Sequence, residues 1–318
     1  MLQIMRGPRF SNPHIRSLRR RLWDVILWKT GYYDDEIIHA VPPEDFTYPA
    51  KPGDIQKEAP QALWIGHSTY LIQIEGINIL TDPVWGDYCS PFPIRGLRRL
   101  QSPALPLQSL PPIHLVLISH NHYDHLENKT VLYLNSKYPK IEWVIPQRLS
   151  FWFKRRGVSR IKELGWWEKL TGEDYSVTAV PSQHCSGRTL FDQNKTRWNG
   201  YVVEVGSKKL HFCGDTGYND RDFKEIGRAF SRMDLSLIPI GTYVPKKFME
   251  PVHIGPQEAV CIHQDVNSSL SLGMHWSTFR LSDEPSDRPP YDLYLATKEK
   301  NLPFETFLPI DAGTYVNF

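Results

Sequence analysis

From residue 62 onward the apolar positions fall in short runs separated by turn residues. Runs at 62–67, 70–75 and 77–82 read as successive strands, and Glu75-Gly76 is placed as a tight hairpin turn. The run 113–118 (IHLVLI) is mostly apolar and β-branched, the pattern of a buried strand. Leu126, Val131, Leu132 and Leu134 then recur near helical spacing, which predicts a helix within 126–138. Further strands are expected at 143–146, 175–180, 201–205, 209–213, 235–240 and 269–274. Helices are expected at 149–156, 222–230 and 256–263, the last with proline in its first turn.

Two stretches break this pattern. Residues 1–60 are punctuated by proline and read as a largely extended arm ahead of a main domain at 61–318. Within the arm, 15–28 carries Arg16, Arg19, Arg20 and Arg21 beside Leu18, Leu22, Val25, Ile26 and Trp28. That is a short basic amphipathic helix, which either lies on anionic lipid or packs on the domain with its arginines reaching solvent. Residues 83–112 form a long loop with seven prolines and Arg95, Arg98 and Arg99. A loop of this length is usually functional, and its place beside the next motif suggests one wall of a cleft. Its arginines either meet phosphate or are solvated.

The predicted strand 113–118 runs into SHNHYDHL at 119–126, which sets His120, His122, Asp124 and His125 within six residues. Imidazole and carboxylate on a strand-to-helix turn suit zinc and, less selectively, iron or manganese. Three more predicted strands stop at a ligand-type residue: His184, Asp215 and His275. We assign His120, His122 and His184 to one ion, Asp124, His125 and His275 to a second, and Asp215 as the bridge. Each ion then lacks one protein ligand, and a shared water fills the gap. Catalytic zinc keeps such an open position, and paired ions about 3.5–4 Å apart serve hydrolysis. Two divalent ions, two aspartates and a hydroxide sum to about +1, which attracts an anionic phosphodiester. His67 and Asp82 end two early strands and are read either as supports that orient a ligating imidazole or as bonded turn residues. His114 and His211 lie inside strands and are read as core residues, as are the cysteines.

Bulk properties narrow the field. In 318 residues, 41% hydrophobic and 12% aromatic, there is enough apolar material for a sizeable core. A net charge of +2 gives no nucleic-acid signature. The first apolar window, 22–28, is short and broken by Asp24, so neither a signal peptide nor a membrane span is expected. Four cysteines without paired spacing suggest a reducing, cytoplasmic setting.

Over residues 62–280 the chain resembles the metallo-β-lactamase superfamily and, within it, the N-acyl-phosphatidylethanolamine phospholipase D group. The matching stretches are WIGH at 64–67, LTDP at 80–83, SHNHYDHL at 119–126, LGWWE at 164–168, PSQH at 181–184, RTL at 188–190, GDTGY at 214–218, IPIG at 238–241 and HW at 275–276. The resemblance implies an α+β fold, an αββα four-layer sandwich with two zinc ions at one edge, iron or manganese being the alternatives. It implies hydrolysis of N-acyl-phosphatidylethanolamine to an N-acylethanolamine and phosphatidic acid. The family's seven ligands fall on the seven positions assigned above; of these, Asp124 and Asp215 are read here as also holding the attacking hydroxide. His253 matches a family histidine beside the substrate and could position phosphate or protonate the leaving oxygen; otherwise it is a helix-entry residue. Tyr123 is carried over as a substrate neighbour. The implied partner is phospholipid at a membrane surface, with peripheral association, no nucleic acid, and a homodimer left open. The rival readings are a soluble metal-dependent phosphodiesterase or lactonase acting on a sugar phosphate, and a non-catalytic metal-binding protein.

Overall fold

The computed structural model describes residues 7–15, 22–33, 42–189 and 191–318. Two seven-stranded sheets share one plan. The first contains β1 (Gln61–Gly66), β2 (Thr69–Ile74), β3 (Ile77–Thr81), β4 (Leu115–Leu117), β5 (Glu142–Pro146), β6 (Ile161–Leu164) and β14 (Tyr315–Asn317), in the order β14-β1-β2-β3-β4-β5-β6. The second contains β7 (Lys169–Thr171), β8 (Tyr175–Val180), β9 (Gly200–Val205), β10 (Lys208–Phe212), β11 (Met233–Pro239), β12 (Ser268–Met274) and β13 (Phe307–Leu308), in the order β13-β12-β11-β10-β9-β8-β7. In each sheet antiparallel pairs give way to parallel ones, at β3-β4 and at β10-β11.

Alternation along the strands explains the layering. Ala62, Trp64, Tyr70, Ile72, Leu115 and Leu117 belong to the core that includes the inner face of the second sheet. Their neighbours Leu63, Ile65, Leu71, Val116 and Ile118 point the other way. There they pack with Val131 and Leu134 of α2 (Asn128–Lys137) and Phe153 of α3 (Ser150–Lys154). Side chains on a strand alternate faces, so each strand of the first sheet feeds two apolar layers. The second sheet is covered outside by α4 (Asp222–Phe230), α6 (Pro256–Asp265) and α7 (Arg288–Glu299), through Phe223, Ile226, Val260, Leu293 and Ala296. The result is the helix–sheet–sheet–helix sandwich implied by the resemblance.

Every strand expected from the pattern is present. The pattern does not mark α7, the peripheral strands β6, β7, β13 and β14, or the four-residue α5 (Lys246–Met249). The 83–112 loop holds two short 3-10 turns, Arg95–Leu97 and Leu107–Ser109, and otherwise no helix or strand. Arg99 is not a phosphate contact in waiting. Its guanidinium donates to the carbonyls of Gly86 (3.0 Å) and Val84 (2.8 Å) and lies over Phe279. Arg16, Arg19, Arg20 and Arg21 of the basic helix lie outside the described residues, which show α1 (Leu22–Lys29). α1 rests on the domain through Trp28, which stacks on Phe248 and donates to Asp283.

Candidate metal centre

β4 ends at the top of the first sheet and the chain turns at once, with Leu126 N donating to His122 O (2.9 Å) before α2 begins. The turn aims His120, His122, Asp124 and His125 at one edge of the sandwich. From the second sheet, the chain after β8 brings His184, the chain after β10 brings Asp215, and the end of β12 brings His275. Gly214 has φ +63, and a Cβ there would meet Asn199 O and Ser119 Cβ at 2.9 Å. Only glycine lets the β10 turn lie this close to the β4 turn. His67 (φ 53) and His275 (φ 63) hold left-handed backbone, which costs about 1–2 kcal/mol each for residues with a side chain. A bond from His275 N to His67 O (3.1 Å) locks the two together.

The side chains form two adjoining groups. His120, His122 and His184 offer ligand atoms within 4.8 Å of one another, and so do His67, Asp124, His125 and His275. Asp215 Oδ2 stands between them, 3.0 Å from His275 Nε2, 3.3 Å from His125 Nε2 and 3.8 Å from His184 Nε2. His120 Nε2 lies 2.8 Å from His122 Nδ1, and His184 Nε2 lies 3.3 Å from the same atom. Three imidazole nitrogens pointing at one spot cannot all be satisfied by protons. His125 Nε2, His275 Nε2 and Asp215 Oδ1 are buried with no well-aligned hydrogen bond, and the two nitrogens face carboxylate oxygens only as ion contacts at 3.0–3.4 Å. Lone pairs that converge and find no donor are what a cation site requires, and the donor set suits a borderline divalent ion such as zinc.

Charge gives the same answer. Burial opposes ionisation of Asp124 and Asp215, yet the histidines around them, His125 foremost, hold both well below the ordinary carboxylate range. Burial likewise opposes protonation of His275, but Asp215 and Asp124 outweigh it and push it up to about 9; His125 is raised for the same reason. Burial lowers His184 to about 3 and depresses His120. The protein alone thus needs positive charge beside its two aspartates and neutral imidazoles elsewhere. Divalent cations provide the first and require the second.

Supports surround the cluster. Asp82, fully buried, accepts from Ser119 N (2.7 Å) and His125 Nδ1 (2.6 Å), and Ser119 Oγ links it to His120 Nδ1 (2.8 Å). Both rings are thereby turned with Nε2 toward the centre. His184 Nδ1 donates to Val252 O (2.8 Å), and His275 Nδ1 pairs with Thr242 Oγ1 (3.1 Å). His67 Nε2 contacts Asp124 Oδ2 at 3.0 Å, so it reaches the second group itself. Ser119, Thr242 and Arg188 are supports that sequence reasoning misses, since none is a ligand type. Arg188 Nη1 donates to the carbonyls of Asn121 (3.0 Å) and Leu126 (2.8 Å), one near each end of the metal turn. The Tyr123 ring lies under the Arg188 guanidinium, and the residue is not among those lining the cavities of about 240 Å³ and about 1010 Å³ at this edge. His114 and His211 sit apart, His114 bonded to Asn78 N and His211 buried in β10.

Two cavities open here. One of about 240 Å³ lies between Leu100, His275, Phe279 and Arg280. The other, about 1010 Å³, runs from His253 past Tyr218, Tyr243 and Pro256 to Leu295; its surface is mainly apolar, with charged groups that include Lys246, Lys247, Glu258 and Arg288. His253 Nδ1 is 3.8 Å from Asp215 Oδ2, so this residue borders both the cluster and the large cavity.

A model of the beta-lactamase superfamily domain matches residues 77–276. The chain is 35% identical over 263 residues to N-acyl-phosphatidylethanolamine-hydrolyzing phospholipase D 1 of Caenorhabditis elegans, covering 79% of this chain and 74% of that one. It is 35% identical over 227 residues to the mitochondrial N-acyl-phosphatidylethanolamine-hydrolyzing phospholipase D of Saccharomyces cerevisiae, covering 70% of this chain and 48% of that one. Among solved structures, isothiocyanate hydrolase from Delia radicum gut bacteria shares the fold at a TM-score of 0.64 and 17% identity, over 81% of this chain and 99% of that one.

Proposed function

The chain belongs to the metallo-β-lactamase superfamily and to its N-acyl-phosphatidylethanolamine-hydrolysing phospholipase D group, which makes it a metal-dependent hydrolase; from that premise we propose that it cleaves the phosphodiester of an N-acylated phosphatidylethanolamine. The products are an N-acylethanolamine and phosphatidic acid. The observation that carries the reading is the meeting, at His253, of a buried cluster of imidazoles and carboxylates with a large, mainly apolar cavity. One end of the substrate is an anion and the rest is hydrocarbon, and the two halves of the site match those two demands.

His120, His122, His184, Asp124, His125, His275 and Asp215 would hold two divalent ions, zinc by donor type, with iron or manganese as alternatives. Such ions supply Lewis acidity, an ionised water near neutral pH and positive charge for the phosphate. Asp124 and Asp215 would hold the attacking water beside those ions. His253, at the mouth of the cavity, delivers a proton to that oxygen as the P–O bond breaks. His120, His125, His184, Asp215 and His275 are buried, and the low local dielectric strengthens their contacts with charge.

Access to such a lipid requires a membrane surface. No helix among the described residues is long and apolar enough to cross one. Exposed apolar side chains flank the segment that follows His275: Trp23 and Ile26 on α1, which is anchored at Asp283, and Phe92 and Ile94 with Arg95 and Arg98 on the loop that bonds Thr278 through Leu100. Peripheral docking through these residues on an anionic leaflet fits their mixture of apolar and cationic groups.

The test is purified, zinc-loaded protein on a panel of phospholipid vesicles, with products read by mass spectrometry and binding by flotation. N-acylethanolamine and phosphatidic acid from the N-acylated lipid are expected. Hydrolysis confined to soluble phosphodiesters, by protein that never floats with vesicles, overturns the reading.

A further inference from the structure

Residues 8–15 cross the sandwich edge as a strap beside the metal centre, and they lie outside the span 77–276 matched to the family model. We propose that this strap is part of the centre: Asn12 is a positioning residue for His184. The inference rests on the proposal that His120, His122 and His184 hold a divalent ion.

Asn12 is 7% exposed, and its Nδ2 donates to the main-chain carbonyl of His184 at 2.8 Å across 172 residues of sequence. His184 is therefore held twice, at its backbone by Asn12 and at ring Nδ1 by Val252 O. A ring fixed only at Nδ1 can still swing about that bond. A second fixed point on the backbone sets where Nε2 lies. Ligands held by such outer contacts lose metal affinity when the contact is removed.

The strap is fastened on both sides of Asn12. Upstream, Phe10 N donates to Asn194 O (2.8 Å), the Phe10 ring lies against the guanidiniums of Arg148 (4.5 Å) and Arg197 (4.6 Å), and Arg148 Nη1 donates to Pro8 O (2.6 Å). Two cations on one aromatic ring form an anchor that alanine cannot replace. Downstream, His14 Nε2 meets Asp222 Oδ1 at 3.0 Å and Ile15 lines the large cavity. Asn194, which receives the strap, also closes the 186–194 loop by bonds to Ser186. That loop carries Gly187 and Arg188, whose donors reach Asn121 and Leu126 of the metal turn. One side of the loop thus holds the strap and the other holds the histidine turn.

The experiment measures zinc affinity of the full chain by chelator competition, for the unaltered protein and for Asn12→Leu and Phe10→Ala. The unaltered protein tests the premise by itself: two zinc equivalents are expected, and none would remove the metal centre and the strap's role with it. With the premise met, Asn12→Leu should weaken one equivalent by about tenfold or more and leave the other within about twofold, a range typical of outer contacts to metal ligands. Phe10→Ala should reproduce that selective loss, and it carries the test should Asn12→Leu fail to fold. Both equivalents unchanged within about twofold, with only a lower melting temperature of the metal-free protein, would show that the strap merely stabilises the fold and would overturn the proposal.

Discussion

Replacing Asp82 by asparagine changes one atom of a buried side chain, and the surrounding hydrogen bonds dictate how the site responds. In the native chain Asp82 Oδ1 accepts from Ser119 N, while Oδ2 accepts from Ser119 Oγ (2.5 Å) and from His125 Nδ1 (2.6 Å). Asparagine keeps one oxygen. Ser119 N is a backbone donor that cannot change, so the oxygen stays with it and the new NH₂ faces His125 and Ser119. His125 must then accept at Nδ1, which moves its proton to Nε2, the atom that points at Asp124 and Asp215. Ser119 Oγ now accepts from the amide, and its own proton is left to turn toward His120 Nδ1. A single substitution therefore covers two candidate ligand nitrogens with protons. Zinc affinity should fall by about 10- to 100-fold, or about 1.4–2.7 kcal/mol, and turnover should fall with it. Metal-free stability should fall by about 1–3 kcal/mol, because without metal Asp215 and Asp124 hold His125 protonated and it loses the carboxylate that accepts its Nδ1 proton. Asp82→Ala is the contrast: three buried donors lose their acceptor, and the metal-free fold should lose about 3 kcal/mol or more. Calorimetric zinc titration and denaturant unfolding of the two variants separate these effects. An Asp82→Asn protein that binds zinc as the native chain does would refute the tautomer argument.

Arg188→Met leaves the Asn121 and Leu126 carbonyls without their shared donor, a loss of about 2 kcal/mol and roughly 2–6 °C in melting temperature; a variant that melts with the native protein would mean the clasp contributes nothing. His211 is buried in β10 with Nδ1 unpartnered, and burial lowers it to about 3. The unfolded chain takes up that proton near pH 6.5, so stability is complete above that pH and declines as pH falls toward 3, by about 1.4 kcal/mol per unit. His211→Leu should remove that share of the acid slope in unfolding curves taken between pH 7 and 4.5, and an unchanged slope would count against it.

How much of the molecule is legible in its sequence depends on the range of the forces involved. The SHNHYDHL turn and the strands that stop at His184, Asp215 and His275 are local patterns, and pattern suffices to bring their residues to one edge. α7 escapes because it opens on Pro289 and Pro290, which read as loop, and shows only a weak apolar stripe, with Leu293 and Ala296 buried. β6 and β7 at the outer ends of the sheets, with exposed Lys162 and Lys169, lack the apolar density of the central strands. The docking of Asn12 on His184 is invisible because nothing near either residue refers to the other. Tyr123 sits among the ligands in sequence, and its packing against Arg188 is likewise a long-range contact that no local pattern announces.

The candidate ligands sit where strands terminate, whereas the 83–112 loop, the 242–255 stretch and the arm build the surroundings. Chemistry and selectivity are therefore carried by different parts of the chain, one rigid and one replaceable. Successive descendants of such a scaffold can be retuned to new leaving groups by exchanging rim segments alone, with the reactive apparatus inherited intact.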